Sequence, residues 1–165
     1  MPRSIYLATN CYGGMAHADY MSALLAFRPA CAARGVNLHI DLAGGEALVG
    51  RGRATVMAKF LASDATHLLF ADSNLCFSAA EVFSLLDSDQ DVAAGVEDSL
   101  LMITRRAAQR MTDAHPELLA KLGDIAGLAV PEATFVFDPM VDPSTGRYLT
   151  DLNAFRARWR ALSGP

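Results

Sequence analysis

Residues 66–74, Thr66-His67-Leu68-Leu69-Phe70-Ala71-Asp72-Ser73-Asn74, limit the possible folds more than any other stretch of this chain. An apolar run of about six residues, preceded by Asp64 and closed by Ser73-Asn74, reads as a strand buried on both faces. Such strands are central in parallel sheets, and their carboxyl ends open onto the crevice where ligands bind. Asp72 therefore stands where an open α/β protein does its chemistry.

The chain has room for one such sheet. Its 165 residues fit a single domain, 1–165, large enough to bury about two thirds of its unfolded surface. With 52% hydrophobic and 19% charged residues, a well-packed globule without a disordered tail is expected. A net charge of −4 and a pI near 5.5 argue against a nucleic-acid partner. No apolar run approaches the roughly 18 residues that read as a membrane span. The strand that follows Met1-Pro2-Arg3 is too short for a signal-peptide core, so the cytoplasm is the expected location. Three cysteines, Cys11, Cys31 and Cys76, lack the number and spacing of a disulfide framework or a zinc site.

Taken in order, Ser4–Thr9 predicts a strand and Asn10–Gly14 the turn after it. From about His17 to Ala33 the apolar positions Tyr20, Leu24, Phe27 and Cys31 keep helical period, and Pro29 is expected to kink or split that helix. Val36–Asp41 predicts a second strand. A helix from about Glu46 to Ala62 should turn Met57, Phe60 and Leu61 to the sheet. After the central strand, Ser78-Ala79-Ala80-Glu81 is a capping box opening a helix through Leu86. Asp91–Val96 predicts a strand, Leu100–Ile103 another, and Arg105–Ala114 a helix. Pro116–Pro131 is weakly periodic and reads as helix and loop. Phe135–Phe137 reads as a short strand, Asp142–Gly146 as a turn, and the last helix carries Leu152, Phe155, Trp159 and Leu162 on one face. Alternating strands and helices make this an α/β chain.

Two constellations point to chemistry. Arg51 and Arg53 fall in the first turn or so of the helix after the second strand, where cations oppose the helix dipole. Two of them suggest a compensating anion, since a helix N-terminus with added arginines suits phosphate; a solvated or Glu46-paired arginine is the plain alternative. Arg53, one turn before Met57, leans toward the sheet. Asp72 and Asn74 offer two oxygens just past a strand end, enough to help hold a hard divalent cation. A turn capped by these same side chains accounts for them more simply. Cys11 and Cys76 both follow strand ends and could line one cleft near His17, although small buried cysteines are commoner than nucleophiles. His39 and His67, inside strand patterns, are expected to be hydrogen-bonded structural residues.

The segments Thr9–Gly14, His17–Met21, the Arg51/Arg53 helix and Ala65–Phe77 resemble bacterial GT-A-type glycosyltransferases. So do Phe137-Asp138-Pro139-Met140-Val141-Asp142-Pro143 and Gly146–Leu149. The resemblance covers most of residues 3–96 and resumes near Ser99. It implies a trimmed GT-A (Rossmann-like) fold, a mostly parallel sheet with helices on both faces. It implies a nucleotide diphosphate or nucleotide-sugar held by Thr9, Tyr12, Arg51 and Arg53. Asp138 and Asp142 flank Pro139 and could contact an acceptor, although turn chemistry explains them equally well. The resemblance further implies Mn²⁺ or Mg²⁺ at Asp72 and Asn74, and Asp151 as the base. The chain departs from the family pattern in several places. Asn74 replaces a carboxylate, Asn10 a proline, Ala54 an asparagine and Cys76 a glycine. Asp151-Leu152 stands for a Glu-Asp pair, Glu97-Asp98-Ser99 for a long insert, and the chain stops at Pro165 before a further strand and histidine. The expectation is a glycosyltransferase-like protein whose sugar transfer is lost or altered. The alternatives are an enzyme that uses the cleft for other chemistry on a small metabolite, and a catalytically silent binding or scaffold protein. Apolar surface or a sheet edge left uncovered would favour a homodimer or a protein partner.

Overall fold

The strand read as central from the sequence lies at the centre of a five-stranded sheet. The structure, a computed structural model, describes residues 2–44, 49–95 and 99–114, and four short strands beyond them. In chain order the sheet is made by β1 (Ser4–Cys11), β2 (Asn37–Gly44), β3 (His67–Ala71), β4 (Val92–Ala94) and β5 (Leu100–Thr104). Their spatial order is β2-β1-β3-β5-β4. Four helices accompany them: α1 (Ala18–Arg34), α2 (Val49–Ala62), α3 (Ala79–Asp87) and α4 (Arg105–Ala114).

Leu68, Leu69, Phe70 and Ala71 of β3 are all buried. Successive side chains point to opposite faces, so this one strand feeds two cores. Leu68 and Phe70 join Val56, Met57 and Phe60 of α2 and Ala107, Ala108 and Met111 of α4. Leu69 and Ala71 join Tyr20, Leu24, Phe27 and Cys31 of α1 and Val82 and Leu86 of α3. Each fully buried large apolar side chain contributes about 1.5–3 kcal/mol. The unbroken apolar run is thus explained by a helix pair on each face, as expected.

The sheet is mixed, not mostly parallel. β1 pairs parallel with β2 and β3, but β5 runs antiparallel between β3 and β4. The cause is connection length. A parallel return needs a crossover of a dozen or more residues, and only 95–99 separate β4 from β5. The chain must therefore turn back beside β4, and the apolar Leu100-Leu101-Met102-Ile103, all buried, slots in against β3.

Pro29 does not split α1, which runs from Ala18 to Arg34 in one piece. The carbonyl that Pro29 cannot bond belongs to Leu25, whose residue is 70% exposed, so water can serve it. Gly35 closes the helix in the left-handed region, φ 69°, as a C-terminal glycine does. The capping box is present in full: Ser78 Oγ accepts from the Glu81 N–H, and the Glu81 carboxylate accepts from the Ser78 N–H. His67 bonds Thr66 Oγ1 at 2.8 Å, whereas His39 is exposed and stacks on Tyr6, at 4.4 Å between ring centroids. His39 thus departs from the expectation of a hydrogen-bonded strand histidine. It lies on an edge strand, where only the face toward Tyr6 is covered.

Farther on, Leu119–Ala120, within the stretch read as helix and loop, is a strand (β6) that pairs antiparallel with Val136–Phe137 (β7). Val141–Asp142 (β8) pairs antiparallel with Arg147–Tyr148 (β9); residues 143–146, read as a turn, lie outside the described residues. The expected helix start at Glu46, the strand end at Val96, the rest of Pro116–Pro131, the last helix with Leu152, Phe155, Trp159 and Leu162, and Asp138 and Asp151 lie outside the described residues.

Candidate functional site at the carboxyl edge of the sheet

Because β1, β2 and β3 are parallel, their carboxyl ends open on one edge, and α2 begins there after β2. Most of the residues singled out from the sequence meet at this edge. Thr9, near the end of β1, is fully buried, and its Oγ1 shares a 2.5 Å hydrogen bond with the Tyr20 hydroxyl of α1. That bond fastens the end of β1 to α1. It also leaves Thr9 as part of the floor, with no surface for a ligand to touch. The chain then makes a 3-10 turn, Tyr12–Gly14, in which Gly13 has φ 64°, a left-handed conformation that glycine adopts without strain. The turn presents Tyr12 at 71% exposure.

Arg53, in the second turn of α2, is 8% exposed, which is unusual for an arginine. Its guanidinium lies 5.6 Å from the Phe70 ring centroid and 3.5 Å from Asp72 Oδ1. Burial lowers its pKa from the ordinary value, and the neighbouring Asp72 carboxylate opposes that shift. Asp72 itself is half-buried at the end of β3, and its backbone N–H donates to Ser99 O at 3.1 Å. The arginine and the carboxylate expected at this edge are thus brought together as an ion pair. Arg51 lies on the same helix two residues earlier.

Asn74 is exposed in the turn after Asp72, where the Leu75 N–H donates to Asp72 O at 3.1 Å. Among the described residues no three His, Cys, Asp or Glu side chains gather as a metal cluster. The donor set here, one carboxylate already facing an arginine and one amide, does not fit a tightly held resident ion.

The two cysteines part company. Cys11 is buried and burial pushes its thiol pKa up, so it is not an activated nucleophile, while Cys76 is exposed. His17 is exposed and caps α1 by accepting from the Asp19 N–H, and its own N–H donates to Ser73 O at 2.8 Å. That bond ties the loop after β1 to the loop after β3, and so to Asp72.

One contact was not anticipated. The Asn10 side chain lies against the α2 backbone at Gly52, where an added Cβ would stand 2.9 Å from Asn10 Oδ1. A glycine inside a helix costs about 0.5–1 kcal/mol relative to alanine. Gly52 between two arginines was therefore a legible sign of close approach.

Comparison of the chain with known protein families, curated proteins and solved structures finds no match. The α/β architecture and this edge are what the molecule itself offers to an argument about function.

Proposed function

We propose that the carboxyl edge binds a nucleoside diphosphate, free or as a nucleotide-sugar, in the manner of the GT-A-type glycosyltransferases that the sequence resembles. The observation that carries the reading is Arg53, a guanidinium kept almost out of water at a sheet edge where ligands of open α/β proteins bind. An arginine fork matches phosphate oxygens two at a time. In this reading Arg53 and Arg51 take the diphosphate, and Tyr12 offers an exposed ring beside it. Asp72 and Asn74 contribute to a Mn²⁺ or Mg²⁺ ion that the diphosphate brings, and Thr9 shapes the floor through Tyr20. Such an ion, when bound, neutralises phosphate charge. Asp138 as an acceptor contact, and Asp151 as the base on the strength of the resemblance alone, complete the transferase version of the reading.

The test is isothermal titration of UDP and GDP, each with and without Mn²⁺, into the parent protein and into Arg53→Lys. Lysine keeps a buried cation but loses the fork, and charge-assisted hydrogen bonds are worth about 1.5–3 kcal/mol each. The variant should bind the preferred nucleotide at least tenfold more weakly, since about 1.4 kcal/mol is a factor of ten. Absence of binding by the parent at millimolar nucleotide, with Mn²⁺ present, sinks the proposal.

A further inference from the structure

The two edges of the five-stranded sheet are guarded very differently. β4 is three residues long, too short to offer a partner much of a ladder, whereas β2 runs for eight residues, Asn37 to Gly44. Natural edge strands are blunted by lysine, proline or a bulge. β2 contains neither residue, and its register with β1 runs one to one from Ser4↔Asn37 to Cys11↔Gly44 without a bulge. Its one charged side chain, Asp41, accepts from the Tyr6 hydroxyl at 2.9 Å and from Lys59 Nζ at 3.0 Å.

The Asn37 N–H donates to Arg3 O at 3.2 Å, and this bond fixes the phase of the strand. Backbone groups alternate sides along a strand, so Asn37, His39, Asp41 and Ala43 bond toward β1. Leu38, Ile40 and Leu42 turn their N–H and C=O groups outward. Among the described residues these outward groups have no hydrogen-bond partner. The side chains alternate as well. Leu38 and Ile40 pack at the margin of the core under α1, and Leu42 on the same face is 43% exposed. His39 lies on the other face, stacked on Tyr6.

We propose that β2 is a self-pairing edge: two copies of this chain join antiparallel through β2, about a twofold axis at Ile40, into one sheet with five strands from each copy. A twofold axis perpendicular to the sheet keeps every side chain on its own face, so only residues of one face can stand opposite each other. Centring on Ile40 sets Leu38 against the partner's Leu42 and His39 against the partner's Asp41. The outward groups of Leu38, Ile40 and Leu42 then all bond across the axis. A leucine covers the exposed Leu42, and each carboxylate faces an imidazole at the close, non-hydrogen-bonded positions. Centring on Asp41 instead sets the two Asp41 carboxylates directly opposite each other, which is destabilising. Centring on His39 pairs only residues 37–41 and leaves Leu42 uncovered. Any strand could use the same hydrogen bonds, but the charge and apolar pattern of β2 is complementary to itself. A second copy is therefore the occupant that fits.

The test is sedimentation equilibrium of the full chain in low-salt buffer. The parent should show a reversible monomer–dimer equilibrium. Leu42→Pro removes an outward N–H and puts a ring in its place, while the ladder to β1 loses no bond. Dimerisation should weaken at least tenfold, with an unchanged far-ultraviolet circular dichroism spectrum. His39→Asp and His39→Lys both lose the stack on Tyr6 and differ in the sign of the charge that meets the partner's Asp41. His39→Asp should dimerise at least fivefold more weakly than His39→Lys. A parent that stays monomeric at millimolar concentration, assembly beyond a dimer, equal dimerisation of Leu42→Pro and the parent, or equal dimerisation of the two His39 variants would each overturn the proposal. The His39 pair decides the register even if Leu42→Pro folds poorly.

Discussion

At the scale of single residues, two arginines show how differently one side chain can be used. Arg53 faces a carboxylate at the edge where a ligand is expected, whereas Arg105, among the described residues, hydrogen-bonds to carbonyls and feels the Asp64 carboxylate only through space. Its Nε donates to Ala65 O at 2.6 Å, Nη1 to Leu61 O at 3.2 Å, and Nη2 to Phe60 O and Ser63 O at 2.7 Å each. Its guanidinium also stacks 4.7 Å from the Phe60 ring centroid. The last carbonyls of a helix have no partner inside it, so Arg105 closes the end of α2 and clamps the α2–β3 connection to the start of α4. Arg105→Ala should destabilise the protein by about 2–4 kcal/mol, because several half-buried carbonyls lose a charged donor together. Arg105→Lys should recover less than half of that, since an ammonium cannot fork across four carbonyls. Urea denaturation of the three proteins measures both. Nothing in the sequence around Arg105 announces this role, because its partners are about 40 residues away. Arg53 was more legible, since Met57 one turn later marked its face of the helix.

At the scale of elements, local signals were dependable where they were self-contained. The Ser78–Glu81 box starts α3 where its two reciprocal hydrogen bonds require. Pro29 is the instructive exception. Its missing N–H and its ring both oppose a helix interior, yet Tyr20, Leu24, Phe27 and Cys31, on both sides of it, are buried against one core. Packing along the whole face outweighs one lost hydrogen bond on the wet side. Pro29→Ala should therefore stabilise the protein, by about 1–3 kcal/mol, without changing the fold. A rise in the thermal midpoint with an unchanged far-ultraviolet circular dichroism spectrum is the expected result. An unchanged or lower midpoint would mean that the helix bends at Pro29 in a way alanine cannot reproduce.

At the scale of the whole molecule, the pH dependence of stability should show two windows. Burial, reinforced by the charge of Arg3 and opposed by Asp89, lowers the pKa of His67 below its ordinary 6.5. Above that value the residue is neutral both folded and unfolded and contributes no slope. Below it, the unfolded chain binds a proton that the folded one resists, so stability falls as the solution is acidified from about pH 6.5. A second decline belongs to carboxylates whose pKa is lowered in the fold. Glu81 is held below 4.5 by the Ser78 N–H and hydroxyl. For Asp91, burial alone would raise the pKa, but hydrogen bonds from Arg106 and Thr104 together with the charge of Arg110 bring it below 3.8. Their contribution is present above the unfolded values and lost as pH falls through the folded ones. His67→Gln should remove the first decline and leave the second, as read from urea midpoints between pH 7 and pH 3. A first decline that survives in His67→Gln would assign it to another group.

The sequence by itself determined what depends on near neighbours and on the burial of one strand. The doubly buried run at Leu68–Ala71, the capping box, and the helical face of Tyr20, Leu24, Phe27 and Cys31 follow from spacing and alternation; Arg53 and Asp72 share an edge once their strands are taken as parallel, and Thr9 and Tyr12 were placed there by the resemblance. The tertiary structure decided what depends on partners far along the chain. The antiparallel seat of β5 between β3 and β4 is set by a short connection and by which apolar strand can fill the gap. The pairing of Arg53 with Asp72 joins residues 19 apart, and the Asn10–Gly52 contact joins two different elements. Periodicity is a property of a face, so a sequence can state which side of an element is buried. Which two buried or polar groups meet is a property of three-dimensional packing, and only the folded chain settles it.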